Sequence, residues 1–107
     1  MGCNNGLNTS IWSYELGDGT KYGPYTKGWG NNEIQCYTDN KEDVKVGYDG
    51  VLAIHANFHR RGVSCYNPGA SNSTRWWTSA RLITRGKVAF GIGSSPIKIE
   101  ARVKVPN

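Results

Sequence analysis

The stretch G-W-G-N-N-E at residues 28–33 runs directly into I-Q-C-Y-T at residues 34–38. The second segment is a short strand candidate, because β-branched and aromatic residues are enriched in strands. The composition agrees: fourteen glycines, four tryptophans and six tyrosines accompany a single methionine, and no segment has helical periodicity. These features predict a protein built from strands and turns.

Short alternating segments on both sides of this stretch predict further strands. The Asp49-Gly50 pair separates two alternating apolar runs, which is a strong signal for a β-hairpin. Residues 57–76 are polar and rich in Gly, Ser and Asn, so they predict a long loop, and residues 1–9 are predicted to be irregular. The other predicted strands lie at residues 11–16, 78–84, 87–90 and 97–105. Several short strands separated by turns indicate an all-β sandwich or barrel in a single domain spanning residues 1–107.

The segment from Ile97 to Val105 has the most regular alternation in the sequence. Its apolar residues at odd positions would share one face, buried in a core. Lys98, Glu100, Arg102 and Lys104 would share the opposite face. Composition alone favours solvent for this charged face, although the same pattern can line a polar cleft.

Charge and cysteine content limit the classes of partner. The formal net charge is +5, but the thirteen Lys and Arg are dispersed, which favours a solvated surface over a patch that binds nucleic acid. No apolar run reaches the length of a membrane span, so no membrane partner is predicted. The first residues lack the basic region and apolar core of a secretory signal. Cys3, Cys36 and Cys65 are an odd number of cysteines and allow at most one internal disulfide.

Two carboxyl groups on one face of a strand, as in an E-x-D-x-x-E pattern, can act together as a nucleophile and an acid/base. The eight acidic residues contain no such pattern. Asp39 and Glu42 have part of the spacing but lie in a polar turn before a strand. His55 and His59 have the spacing of a helical metal pair but lie at a predicted strand end, which argues against metal ligation. No catalytic residue, metal site or cofactor is therefore predicted.

Five segments in a particular order nevertheless resemble one family. They are W-S-Y-E-L-G-D-G at 12–19, G-W-G-N-N-E at 28–33, T-S-A-R-L at 78–82, G-K at 86–87 and E-A-R-V-K-V-P at 100–106. Together they resemble the amino-terminal half of glycoside hydrolase family 16, the laminarinase-like endo-β-1,3-glucanases. The resemblance implies a β-jelly roll of two packed antiparallel sheets, incomplete here at both ends, whose concave face binds a linear glucan.

The resemblance also implies substrate-binding residues. Relatives place the Asn of the G-W-G-N-N-E loop and the Glu and Arg of the E-A-R strand in the cleft, which here are Asn31, Asn32, Glu100 and Arg102. This implication favours the cleft over solvent for the charged face of the last strand. Arg81 is a further candidate, and a structural ion pair is the alternative for it. Trp29, Trp76 and Trp77 are candidates for stacking on sugar rings, with core packing expected for at least one of the last two.

By this resemblance the chain is interpreted as a truncated β-1,3- or β-1,3/1,4-glucan endohydrolase that retains part of the glucan-binding cleft. The alternative is a non-catalytic β-1,3-glucan recognition module. The expected partner is a β-glucan polysaccharide, and the expected location is extracellular or associated with a cell wall. The family allows a structural calcium ion, but no ligands for it are assignable in this sequence. The residues Ser94 to Ile97 resemble a short insertion relative to the family pattern.

Overall fold

A computed structural model of the chain describes residues 5–68, 71–91, 93 and 95–106. Strands dominate its regular structure, and the only helices among these residues are two short 3₁₀ segments, Thr20–Tyr22 and Pro24–Gly30. The described strands are β1 (Ser13–Glu15), β2 (Cys36–Tyr37), β3 (Val44–Val46), β4 (Leu52–Ile54), β5 (Asn57–Cys65), β6 (Ser73–Ser79) and β7 (Arg81–Ile83). The all-β prediction is therefore confirmed. No helix in the described ranges is long and apolar enough to cross a membrane.

The strands form three small sheets. β1 pairs antiparallel with β7, and β3 pairs antiparallel with β4. The third sheet has the order β2-β6-β5, in which β5 and β6 are antiparallel but β2 and β6 are parallel. This parallel pair departs from the purely antiparallel arrangement expected. The hairpin predicted at Asp49-Gly50 is confirmed, because Gly50 adopts a φ of 77° and Val44 to Val46 pairs with Leu52 to Ile54 around it.

The prediction of a long loop at residues 57–76 is wrong. Most of this range forms the two longest described strands, β5 and β6, with Cys65 opposite Ser73. A register shift between Phe58 and Val63 lets β5 bend, and Gly62 in the left-handed region, at a φ of 74°, lies within it. The polar residues of this segment form a sheet because the stability of paired strands depends on backbone hydrogen bonds and on side-chain contacts between strands. The pattern of hydrophobic residues along the sequence does not reveal these contacts.

The prediction of a strand from Ile97 to Val105 is also wrong. Residues 95–106 make no strand pairing, and the apolar side chains expected in a core are exposed, with Ile99 at 75% and Val103 at 72%. Alternation separates two faces only where a neighbouring strand supplies backbone hydrogen bonds, and no described strand does so here. Residues 87–90 likewise form no strand, and the predicted strand at 78–84 is interrupted at Ala80. Residues 5–9 contain neither helix nor strand.

The core is small and depends on a disulfide. The buried apolar residues among those described are Cys36, Val44, Cys65 and Ala80. Cys36 and Cys65 are joined, with their Cα atoms 5.7 Å apart, so β2 is linked covalently to the end of β5. This is the one internal disulfide that the cysteine count allowed, and Cys3 lies outside the described residues.

A buried carboxylate organises the centre of the structure. Asp43 is almost fully buried and accepts hydrogen bonds from Thr38, from Asn57 at 2.7 Å and from Thr78 at 2.8 Å. The Thr78 hydroxyl is also 2.7 Å from Nε2 of His59. His59 thus has a structural contact, and no cluster of three or more His, Cys, Asp or Glu suited to a metal ion occurs within the described ranges.

Candidate glucan-binding site

The G-W-G-N-N-E loop adopts an unusual backbone conformation. Gly28, Trp29, Gly30 and Asn32 have positive φ angles of 69°, 57°, 79° and 64°. This region is open to glycine but disfavoured for tryptophan, and asparagine tolerates it better than most residues. The amides of Asn31 and Glu33 both donate to the carbonyl of Gly28, at 3.1 and 3.0 Å. The loop is therefore wound tightly on itself and leaves Asn31 and Asn32 exposed.

The Trp29 ring lies at the centre of an aromatic cluster. Its centroid is 6.0 Å from that of Tyr22, edge to face, and 5.6 Å from that of Tyr37. The guanidinium carbon of Arg81 lies 4.7 Å from the Trp29 ring centroid, which is a cation–π contact. Trp29 Nε1 is buried and has no hydrogen-bond partner within the described structure. These neighbours make Trp29 a support for Arg81 rather than an open platform for a sugar ring.

A second network, of hydrogen bonds, holds Tyr37, the other ring that contacts Trp29. The Tyr37 hydroxyl donates to Glu33, and the Gln35 amide nitrogen lies 2.9 Å from the same carboxylate and 2.7 Å from the Tyr37 oxygen. Burial raises the pKa of Tyr37, and its hydrogen bond to Glu33 acts in the same direction. Tyr37 is thus kept protonated as a donor, which fixes the ring that packs against Trp29.

Beneath Tyr22 lies the buried carboxylate of Glu15. It forms an ion pair with Lys21 and accepts a hydrogen bond from the Tyr22 hydroxyl. Burial acts to raise the pKa of Glu15, but the hydrogen bonds from Lys21 and Tyr22 outweigh it and the pKa lies below its ordinary value. Arg85 donates from Nη1 to the same Tyr22 oxygen at 3.0 Å. The Tyr22 hydroxyl is therefore held by two groups, the buried carboxylate of Glu15 and the exposed guanidinium of Arg85.

Asp18 anchors the loop to the sheet. Its carbonyl accepts from the Gly28 amide at 2.8 Å, and its buried carboxylate accepts from the Thr20 amide, the Thr20 hydroxyl and Ser73. Arg75 forms an ion pair with Asp18 at 4.0 Å and donates to the Glu33 carbonyl at 3.3 Å. Burial acts to raise the pKa of Asp18, but these hydrogen bonds and the Arg75 charge lower it below its ordinary value.

The structure brings only some of the sequence-predicted residues together. Arg81 contacts the loop that carries Asn31 and Asn32, through Trp29. Glu100 is exposed and pairs with Lys98 at 2.8 Å, whereas Arg102 lines a separate hollow beside β4. No described contact joins either residue to the loop, so their assignment to the site remains a prediction.

Trp76 and Trp77 differ from expectation. The first is 50% exposed and the second 38%, so the core packing expected for at least one of them is wrong. Trp77 instead packs on Phe58 with ring centroids 5.2 Å apart, as a cross-strand pair at the sheet surface.

No family model matches the sequence. The chain is 34% identical over 103 residues to a glucan endo-1,3-beta-glucosidase of Cryptopygus antarcticus, and 35% identical over 97 residues to a beta-glucanase of Rhodothermus marinus. These alignments cover 96% and 90% of this chain, but 31% and 26% of the relatives. A solved laminarinase catalytic domain of Thermotoga maritima superimposes with a TM-score of 0.59 at 32% identity, over 80% of this chain and 30% of that one.

These similarities support the resemblance of this chain to the laminarinase-like members of glycoside hydrolase family 16. This laminarinase-like chain spans about a third or less of the length of the relatives it matches. Its fold is accordingly a partial β-sandwich of the jelly-roll type, as expected from the sequence.

Sequence reasoning missed four residues of the site in this laminarinase-like chain. They are Glu15, Tyr22, Tyr37 and Arg85, which build and fix the cluster around Trp29. Glu15 lies inside the W-x-Y-E motif, so its position was noticed but its role was not. Nothing in the local sequence indicates that Tyr22 or Arg85 meets the loop, because these contacts join segments that are distant along the chain.

Proposed function

We propose that this chain forms the glucan-binding part of a β-glucanase domain, acting on β-1,3-glucan or mixed β-1,3/1,4-glucan. The observation that carries the proposal is the convergence of the Trp29 loop and Arg81, two separately recognised family motifs, at one exposed surface. The names of the matched relatives support a β-glucan as the substrate class.

The chemistry of the exposed groups suits a polyhydroxylated ligand. The amides of Asn31 and Asn32 each offer donors and an acceptor, and the Arg81 guanidinium offers donors in a fixed plane. Trp29 holds that plane from one side, so less side-chain freedom is lost when Arg81 binds a ligand. In this arrangement Trp29 contributes by orienting Arg81.

We assign to these residues glucan binding and not bond cleavage. The most buried carboxylates of the chain, Glu15, Asp18 and Asp43, each accept structural hydrogen bonds. The second candidate function is a non-catalytic β-1,3-glucan recognition module, which is favoured by the lack of an E-x-D-x-x-E pattern among the eight acidic residues. The Cys36–Cys65 disulfide supports the further proposal that the protein works outside the cytosol, because structural disulfides persist in oxidising compartments.

The test is binding of the full chain to insoluble β-1,3-glucan and to laminari-oligosaccharides by calorimetry. Arg81→Gln is expected to weaken binding by at least about tenfold, since hydrogen bonds from a charged donor contribute about 1.5–3 kcal/mol and each 1.4 kcal/mol corresponds to about a factor of ten. Arg60→Gln is the matched control, because it removes an equal charge from an exposed position on β5. Wild-type affinity in Arg81→Gln and in the double variant Asn31→Ala, Asn32→Ala would refute the proposed surface.

A further inference from the structure

A pocket of about 330 Å³ opens beside the Trp29 cluster, and we call it the arginine pocket. Its lining residues are Glu15, Tyr22, Thr26, Trp29, Arg81 and Arg85. Each guanidinium lies near an aromatic ring: Arg81 at 4.7 Å from Trp29 and Arg85 at 5.6 Å from Tyr22. Since the two rings are themselves 6.0 Å apart, both cations are held at one opening.

The charges of the arginine pocket do not balance. Its single carboxylate, Glu15, is buried and already paired with Lys21. The three ion pairs found within the described ranges are Lys21–Glu15, Arg75–Asp18 and Lys98–Glu100, and none of them includes Arg81 or Arg85. The nearby carboxylate of Glu33 accepts hydrogen bonds from Tyr37 and Gln35. Neither exposed guanidinium therefore forms an ion pair with a carboxylate, although Arg85 donates to the Tyr22 hydroxyl and its charge also acts on Glu15.

We infer that the arginine pocket binds an anionic substituent of a hexose, a carboxylate or a sulfate ester, on the bound glycan. A guanidinium offers planar, bidentate donors that match these oxyanions, and charge-assisted hydrogen bonds are about twice as strong as neutral ones. The inference rests on the proposed glucan-binding function, because Arg81 belongs to both. It extends that function by naming acidic β-glucans as preferred over neutral ones.

Short ligands with one charge separate this site from general attraction to a basic protein. Three laminaritriose probes are compared by calorimetry with the full chain: the neutral trisaccharide, one with a single uronic acid, and one with a single sulfate ester. We expect one or both acidic probes to bind about tenfold more tightly than the neutral one. The acidic probe that binds more tightly than the neutral trisaccharide identifies the substituent.

Variants assign the preference to the pocket. Arg85→Gln is expected to reduce the ratio of acidic to neutral affinity to near one. Arg81→Lys, which keeps the charge without the planar group, is expected to reduce that ratio in part. Arg60→Gln is expected to leave the ratio unchanged. Circular dichroism of each variant verifies that it is folded.

Three outcomes would overturn the inference. Equal binding of neutral and acidic probes contradicts it while leaving the proposed function intact. A preference that persists in Arg85→Gln, or falls equally in Arg60→Gln, places the attraction elsewhere on the basic surface. Failure of all three probes to bind contradicts the proposed function together with the inference.

Discussion

Removal of the Cys36–Cys65 disulfide is expected to cost this protein a large part of its stability. The two cysteines are separated by 29 residues, and closing a loop of that length in the unfolded chain corresponds to about 3.6 kcal/mol. Domains of this size are stable by about 5–15 kcal/mol, so the loss is substantial. Two of the four buried apolar residues are these cysteines themselves, and little other apolar core compensates.

The measurement is urea unfolding followed by tryptophan fluorescence at low protein concentration. The double variant Cys36→Ala, Cys65→Ala is compared with the wild type, and Cys3→Ala serves as the control. For a slope of about 1–2 kcal/mol per molar urea, the midpoint should fall by at least about 2 M. A shift below about 0.5 M would refute the reasoning, because it would mean that the link between β2 and β5 does not restrain the unfolded chain.

Three further predictions follow from the charges, the exposed surface and the carboxylates. Because the pKa values of Glu15 and Asp18 lie below their ordinary values, both groups contribute stability above about pH 4–5 that is lost as the pH falls through their folded pKa values. In Glu15→Gln, the free energy of unfolding, measured by denaturation at a series of pH values, should therefore fall less steeply on the acid side. The exposed apolar side chains of residues 97–105 are expected to cause self-association, measured by light scattering after size exclusion, and a monomer at every concentration would contradict this. No laminarin hydrolysis is expected from this polypeptide in a reducing-sugar assay, since none of its carboxylates lies in an E-x-D-x-x-E pattern; activity that survives purification and disappears in Glu100→Gln would show that expectation to be wrong.

Local signals predicted the parts of the fold that depend on local conformation. The Asp49-Gly50 turn determines its own hairpin because both residues favour that backbone shape, and the predicted pairing of its flanking strands is present. The strands β5 and β6 were missed because their polar residues gain stability from pairing with each other. The alternation at residues 97–105 predicted a strand, but alternation does not provide the partner that a strand needs.

The candidate site likewise contains residues that local motifs predicted and residues that they did not. The loop bearing Asn31 and Asn32, together with Arg81, was found from motifs along the chain, and the structure connects these motifs through Trp29. The residues that fix Trp29, namely Tyr22 and Tyr37, were missed because ring packing between distant segments leaves no local pattern.

In the left-handed loop, the same position affects both the stability of the fold and the contact with a ligand. Trp29 and Asn32 hold positive φ angles; this strain costs about 1–2 kcal/mol for a residue such as tryptophan and less for asparagine, and glycine at the same positions would not carry it. Asn32→Gly is therefore a route to a more heat-resistant protein that gives up one amide at the glucan surface. We expect this variant to gain melting temperature and to lose glucan affinity. Comparing the two changes shows how strongly folding and glucan recognition each depend on this position.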